Sequence, residues 1–123
     1  MTGGIFDIRR LFKAFGFSLL GLRAAIRTQP AFRQALVLVA ALAALGLWLG
    51  RDGAERALLV GSAMLILVSE MFNCAIEVTV DRIGREHHEL SGRAKDMASA
   101  AQLLTLCLVA TVWAIVLVVR FCG

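Results

Sequence analysis

The chain has 123 residues, 59% of them hydrophobic, with a formal net charge of +4 and a mean hydropathy of +0.80. Soluble domains are usually about 45–50% apolar, and here the excess is concentrated in three blocks. The composition therefore excludes an ordinary soluble protein and predicts a single all-α membrane domain over residues 1–123. Three isolated cysteines, Cys74, Cys107 and Cys122, form no C-x-x-C pair, which argues against a zinc or redox role.

Residues 5–28 have the pattern of an amphipathic basic helix lying in the membrane interface. Residues 1–33 carry six Lys or Arg and a single acid, Asp7, a distribution typical of a segment on an anionic lipid surface. Nucleic-acid binding is the alternative for a basic arm, but three apolar spans follow, so we expect no nucleic-acid partner. No short apolar stretch with a small-residue cleavage site precedes the helix, so we expect no removable signal peptide. Apolar residues recur at three- and four-residue steps at Ile5, Ile8, Leu11, Phe12, Phe15, Leu19, Leu22 and Ile26.

Three apolar segments follow and predict three transmembrane helices. Thr28-Gln29-Pro30 is a break, because the residue before proline is pushed out of the helical region. The spans are expected over residues 33–50, 55–80 and 97–120. The first is just long enough to cross a bilayer, and the other two are longer than a bilayer requires. Trp48 lies near the end of the first span, where an interfacial indole is expected.

The distribution of Lys and Arg predicts the orientation in the membrane. The N-terminal region and the segment 81–96 together hold ten of them, whereas the turn at 51–56 and the C-terminus hold three. The segment 81–96, read as a polar loop, lies on the same side as the N-terminus after an even number of spans. The positive-inside rule then predicts a cytoplasmic N-terminus and a periplasmic C-terminus in the bacterial inner membrane.

The second span carries a polar stripe. Glu70, Asn73, Glu77 and Asp81 are spaced so that they fall within about 80° of one another on a helix. A charged side chain in hydrocarbon costs at least ~2.5–3.5 kcal/mol. These carboxylates must therefore face protein, water, a cation or a polar substrate.

This stripe and the basic residues that follow it indicate three kinds of function. Carboxylates beside Arg93, Lys95 and Asp96 could supply a general base, oxygen ligands for Mg²⁺ and cations for phosphate. No G-x-x-x-x-G-K-[ST] loop occurs, so a P-loop nucleotide site is excluded. A membrane enzyme using metal and phosphate ranks first, an ion or proton carrier second, and a structural subunit third.

The run EMFNCAIEVTVDRIGREHHELSGRAKDMASAA at 70–101, with G-L-R-A-A at 21–25, A-F-R-Q at 31–34 and R-x-L-L at 56–59, resembles the bacterial integral-membrane diacylglycerol kinases of the small proteobacterial type. The resemblance covers nearly the whole chain. It implies a homotrimer of three-span subunits, each with an N-terminal interfacial helix, and active sites shared between subunits. It also implies Mg²⁺-dependent transfer of the ATP γ-phosphoryl group to the primary hydroxyl of diacylglycerol, giving phosphatidic acid at the cytoplasmic face.

The resemblance assigns roles to individual residues. Glu70 is implied as the catalytic base and Asn73 as a group that positions the reactants, while Glu77 and the position of Gln29 are implied to hold the metal. Nucleotide contacts are implied for Arg10, Phe17, Gln29, Glu77, Glu86, His87, His88, Lys95 and Asp96. Lipid-substrate contacts are implied for Arg23, Ala31, Arg33, Trp48, Arg56, Glu70, Ser99 and Trp113.

Four positions depart from the family pattern. Gln29 and Ala35 replace acids, and Phe17 and His87 stand where tyrosines usually occur. An amide oxygen can still bind Mg²⁺, but Gln29 lacks the charge that attracts the metal. Gln29 and Ala35 therefore leave open a weakly active or inactive structural homologue. The other alternative is an undecaprenol kinase, as in related Gram-positive enzymes.

Overall fold

The computed structural model describes residues 7–122, which form four helices and no strand in that range. The helices are α1 (Ile8–Thr28), α2 (Pro30–Leu49), α3 (Gly53–Ile83) and α4 (Glu89–Cys122). The last three are long and apolar enough to cross a membrane. The prediction of an all-α chain with three spanning helices behind an amphipathic first helix is therefore confirmed. Residues 5 and 6, placed by the sequence in the first helix, lie outside the described residues.

The break between α1 and α2 lies at the predicted position. Gln29 adopts an extended conformation (φ −117°, ψ 100°) before Pro30, the first residue of α2. The Arg33 guanidinium crosses the break, where its Nη1 donates to the carbonyl of Ile26 at 2.8 Å and to that of Arg27 at 3.3 Å. Arg33 thus satisfies carbonyls that the end of α1 would otherwise leave unpaired.

A second arginine closes the junction between α2 and α3. Arg56 Nε donates to the carbonyl of Leu47 at 3.1 Å, in the last turn of α2. Gly50 allows this approach, because a Cβ at that position would overlap the Arg56 side chain and lie 3.0 Å from its backbone nitrogen. The start of α3 is capped by Asp52, whose Oδ1 accepts from the Glu55 backbone nitrogen at 2.8 Å.

The connection between α3 and α4 is shorter than the sequence indicated. Residues 81–96 were expected to form a loop, but α3 continues to Ile83 and α4 begins at Glu89, so only residues 84–88 connect the helices. His88 caps α4: its Nδ1 accepts from the Leu90 backbone nitrogen at 3.1 Å, and its carbonyl accepts from Gly92 at 2.9 Å. Loss of hydrophobicity marks where the bilayer ends, whereas the backbone stays helical for as long as its hydrogen bonds continue.

The core of the unit lies on both sides of α3, which packs against α2 and against α4. One buried cluster joins the three helices through Ala35, Val39, Ile66 and Val109, with Trp113 beside it. A second cluster of Ala25, Phe32 and Cys74 connects α1 and α2 to α3. Ala25 is the only buried residue of α1, so most of that helix projects from the unit.

Candidate active site

Glu70 is the only buried charged side chain among residues 7–122, with 5% of its surface exposed. It lies in the middle of α3, where a helical backbone satisfies its own polar groups and provides no free donor for a carboxylate. The Cys74 thiol, one turn further along, lies 3.8 Å from Glu70 Oε1 and donates to it. An ionisable group at this depth is typically functional, because hydrocarbon disfavours its charged form.

Asn73 lies one turn from Glu70 and is half-buried. Its Oδ1 is shielded from solvent and has no hydrogen-bond partner within residues 7–122, and the same holds for Ser69 Oγ. Both side chains line a cavity of about 320 Å³ between α3 and α4. An apolar cavity with a few unpaired polar groups is suited to an apolar ligand that carries a polar group. The cavity is lined by Leu65, Val68, Ser69, Phe72, Asn73, Ile76, Ala98, Ala101 and Thr105.

The two predicted metal ligands lie on different elements. Glu77 is half-buried on α3, and Gln29 is half-buried in the break between α1 and α2. Gln29 lines a groove of about 320 Å³ that α3 closes with Cys74 and Val78, whereas Glu77 does not line it. No three His, Cys, Asp or Glu side chains converge on an ion site anywhere in the part of the chain that the structure describes. One carboxylate and an amide fit Mg²⁺ that arrives with phosphate oxygens better than they fit a metal held entirely by protein.

The polar ends of α3 and α4 bring together four of the residues predicted to contact the nucleotide, Glu86, His87, His88 and Lys95. Lys95 Nζ forms an ion pair with Asp81 Oδ1 at 2.8 Å, and both side chains are 42% exposed. A cavity of about 160 Å³ beside this pair is lined by Asp81, Glu86, His87, His88 and Lys95, among others. Asp96 is exposed next to Lys95. A phosphate bound here would share Lys95 with Asp81 or displace it.

The predicted residues on α1 lie apart from this cluster. Arg10, Phe17 and Arg23 are all exposed, and the described residues contain nothing within 4 Å of a Cβ placed at Gly16. Within one chain, the first half of α1 therefore does not reach the α3–α4 cluster. No signal in the sequence predicted this separation.

The predicted lipid contacts divide between the two ends of the helices. Arg33 and Ala31 lie near the α1–α2 break, and Ser99 is exposed on α4 one turn beyond Lys95. Trp48 and Arg56 lie at the other end, roughly 30 Å along α3 from Glu77. Trp113 is also toward that end, where its Nε1 donates to the Leu59 carbonyl at 3.1 Å.

Several side-chain interactions were missed by reasoning from sequence. The contact of the Cys74 thiol with Glu70 was not predicted, although its spacing of four from Glu70 places it on the same helix face. The capping by Arg33 and Arg56, whose guanidinium groups bind carbonyls of the preceding helix, was not predicted either. A basic residue soon after a helix break is the signal that could have indicated this capping.

These features define a class: a small three-span membrane protein with a buried carboxylate in the middle of one span and an acid–base cluster at the polar end of the same helix. Residues 16–117 match the profile of prokaryotic diacylglycerol kinases, and the chain belongs to this family. It is 48% identical over 117 residues to a diacylglycerol kinase of Escherichia coli strain K12, covering 95% of this chain and 96% of the relative. A diacylglycerol kinase of Pseudomonas aeruginosa is 43% identical over 110 residues, covering 89% of each chain. One from Haemophilus influenzae is 42% identical over 106 residues, covering 86% of this chain and 90% of the relative.

Proposed function

We propose that this protein transfers the γ-phosphoryl group of ATP to the primary hydroxyl of diacylglycerol, giving phosphatidic acid. The observation that carries the proposal is the buried Glu70 carboxylate, three residues from Asn73 and its unpaired oxygen, on a helix whose polar end carries the Asp81–Lys95 cluster. Family membership agrees with this chemistry.

Glu70 acts as the general base in this proposal. A carboxylate with so little water around it, and with the Cys74 thiol on one oxygen, can accept the proton of a lipid hydroxyl through the other oxygen. The hydroxyl oxygen then attacks the γ-phosphorus, and the bond from phosphorus to the β–γ bridging oxygen breaks to release ADP. Asn73 positions the acceptor hydroxyl or the transferred group.

The nucleotide approaches from the polar end of α3. Glu77 lies about 10 Å along the helix from Glu70, so a lipid hydroxyl at membrane depth and an aqueous nucleotide can meet between the two carboxylates. Glu77 and the Gln29 amide oxygen would hold Mg²⁺, which neutralises phosphate charge when bound. Lys95 and Asp96 bind phosphates and sugar, and Arg10, Phe17, Glu86, His87 and His88 complete the nucleotide site.

A second copy of the chain completes the site. Arg10 and Phe17 lie on the half of α1 that projects from the unit, which supports sites shared between subunits of a homotrimer. The segments rich in Lys and Arg face the cytoplasm of a bacterial inner membrane, and the C-terminus faces the periplasm. Arg23, Ala31, Arg33 and Ser99 contact the lipid near its head, while Trp48, Arg56 and Trp113 lie toward its acyl chains.

Substitution of Glu70 tests the proposal. We expect Glu70→Gln to lower kcat for diacylglycerol phosphorylation by about 10²–10⁴-fold, because the amide keeps the shape of the side chain but cannot accept the proton. Turnover is measured with purified protein in mixed micelles. Glu55→Gln is the matched control, because Glu55 lies at the opposite end of α3 and its amide could still accept from the Arg51 backbone nitrogen. Unchanged turnover in Glu70→Gln would remove Glu70 from the chemistry.

A further inference from the structure

The contacts between α3 and α4 fix which residues face one another. Trp113 of α4 bonds to Leu59 of α3 near one end, and Lys95 pairs with Asp81 near the other. Between them, Val109 and Ile66 belong to the same buried cluster. The helices are antiparallel, so each step forward along α3 corresponds to a step backward along α4.

A seven-residue step, two helical turns, returns a residue to nearly the same helix face. Seven residues forward from Ile66 on α3 is Asn73, and seven residues backward from Val109 on α4 is Gln102. A further step on each helix reaches Val80 and Lys95, next to the Asp81–Lys95 ion pair. Asn73 and Gln102 therefore form one layer of the α3–α4 seam, between an apolar layer and an ionic layer.

The two amides of this layer each have an unpaired carbonyl oxygen. Asn73 Oδ1 and Gln102 Oε1 are both shielded from solvent, and neither has a hydrogen-bond partner within residues 7–122. Each amide also carries two N–H donors. In a span, where water is scarce, an unpaired amide oxygen is costly, and an N–H of a facing amide is a suitable partner.

We propose that Gln102 and Asn73 form an amide pair across the α3–α4 seam and that Gln102 is a positioning residue for Asn73. Rotation of one side-chain amide exchanges the positions of its oxygen and nitrogen, so that its N–H donates to the carbonyl oxygen of the other amide. The pair fixes the rotation of the Asn73 side chain, and with it the group that Asn73 presents to the acceptor hydroxyl. The pairing rests on the helix register and the two unpaired oxygens, whereas its effect on turnover rests on the proposed function.

A kinetic experiment tests the positioning role. Gln102→Met keeps the length of the side chain and removes the amide, and we expect it to lower kcat about tenfold, the effect of losing one hydrogen bond, with the KM for ATP unchanged. In an Asn73→Ala background the same substitution should cause no further loss. Thr111→Val, which removes a polar group from an exposed position of α4, is the control. An equal loss in both backgrounds, or no loss in either, would contradict the proposal.

A spectroscopic experiment tests the pair without any assay of activity. Asn73 is the only asparagine in the chain, so ¹⁵N-asparagine labelling gives a single side-chain amide in the NMR spectrum. We expect its resonances to shift in Gln102→Met and not in Thr111→Val. An unshifted amide in Gln102→Met would overturn the pair, whatever the kinetics. A shifted amide in a protein that does not phosphorylate diacylglycerol would leave the pair standing and reject the proposed function.

Discussion

Polar side chains at the helix ends connect the helices to one another. Arg33 and Arg56 each lie just after a break and donate to carbonyls of the helix before it. A cation at a helix C-terminus both satisfies unpaired carbonyls and complements the helix dipole. The two arginines thereby hold the angle between successive helices. The lipid contacts proposed for them must use the N–H donors that do not bind these carbonyls.

His88 gives a prediction at the scale of one residue, because its Nδ1 caps α4 while the proposed function assigns it to the nucleotide. We expect His88→Ala to lower the free energy of unfolding by about 1 kcal/mol, whereas His88→Asn, whose side-chain oxygen can cap the helix, should restore it. Thermal unfolding in detergent and the KM for ATP are measured on both variants. A raised KM in both, with stability unchanged in both, would show a nucleotide contact and no capping role.

At the scale of elements, α3 carries the proposed catalytic residues, and the helices packed against it determine the surroundings of each of its faces. Against α4 it forms a seam whose layers change from apolar at Ile66 and Val109, to amide at Asn73, to ionic at Asp81 and Lys95. This order follows the expected change from hydrocarbon to water. A lipid hydroxyl and a nucleotide phosphate can each meet the side chains suited to them along one helix.

The helix α1 gives a prediction at this scale, because its apolar stripe is exposed along residues 8–24. A strongly amphipathic helix with basic residues lies in the interface with its apolar face toward the acyl chains. A spin label at Phe15→Cys should therefore be more accessible to oxygen than to a water-soluble nickel complex, and a label at Lys13→Cys should show the reverse. Electron paramagnetic resonance in vesicles measures both, with Cys74, Cys107 and Cys122 replaced. An equal ratio of oxygen accessibility to nickel accessibility at the two positions would contradict an interfacial position of α1.

At the scale of the whole molecule, the three apolar blocks determined the number of spans, and the spacing of Glu70, Asn73 and Glu77 showed that they share a face. The break at Pro30 followed from the stereochemistry of proline. The helical extension through residues 81–83 and 89–96 could not be predicted, because hydropathy reports the bilayer boundary and not the end of a helix. The partner of Lys95 depends on the register between α3 and α4, which no local pattern encodes.

The molecule exposes a large apolar surface on its spanning helices. Leu104 and Phe121 on α4 are each 70% exposed, and Trp48 on α2 is 78% exposed. Such surface is stable when covered by lipid or by other copies of the chain. It agrees with a membrane-embedded enzyme.

The central claim is that this chain phosphorylates diacylglycerol, and the measurement that tests it most directly is transfer of label from [γ-³²P]ATP to lipid by the purified wild-type protein. Diacylglycerol and undecaprenol are compared in mixed micelles across Mg²⁺ concentration. We predict Mg²⁺-dependent formation of labelled phosphatidic acid, with undecaprenol a poorer acceptor. Absence of labelled lipid from diacylglycerol at every Mg²⁺ concentration, or faster labelling of undecaprenol, would contradict the account.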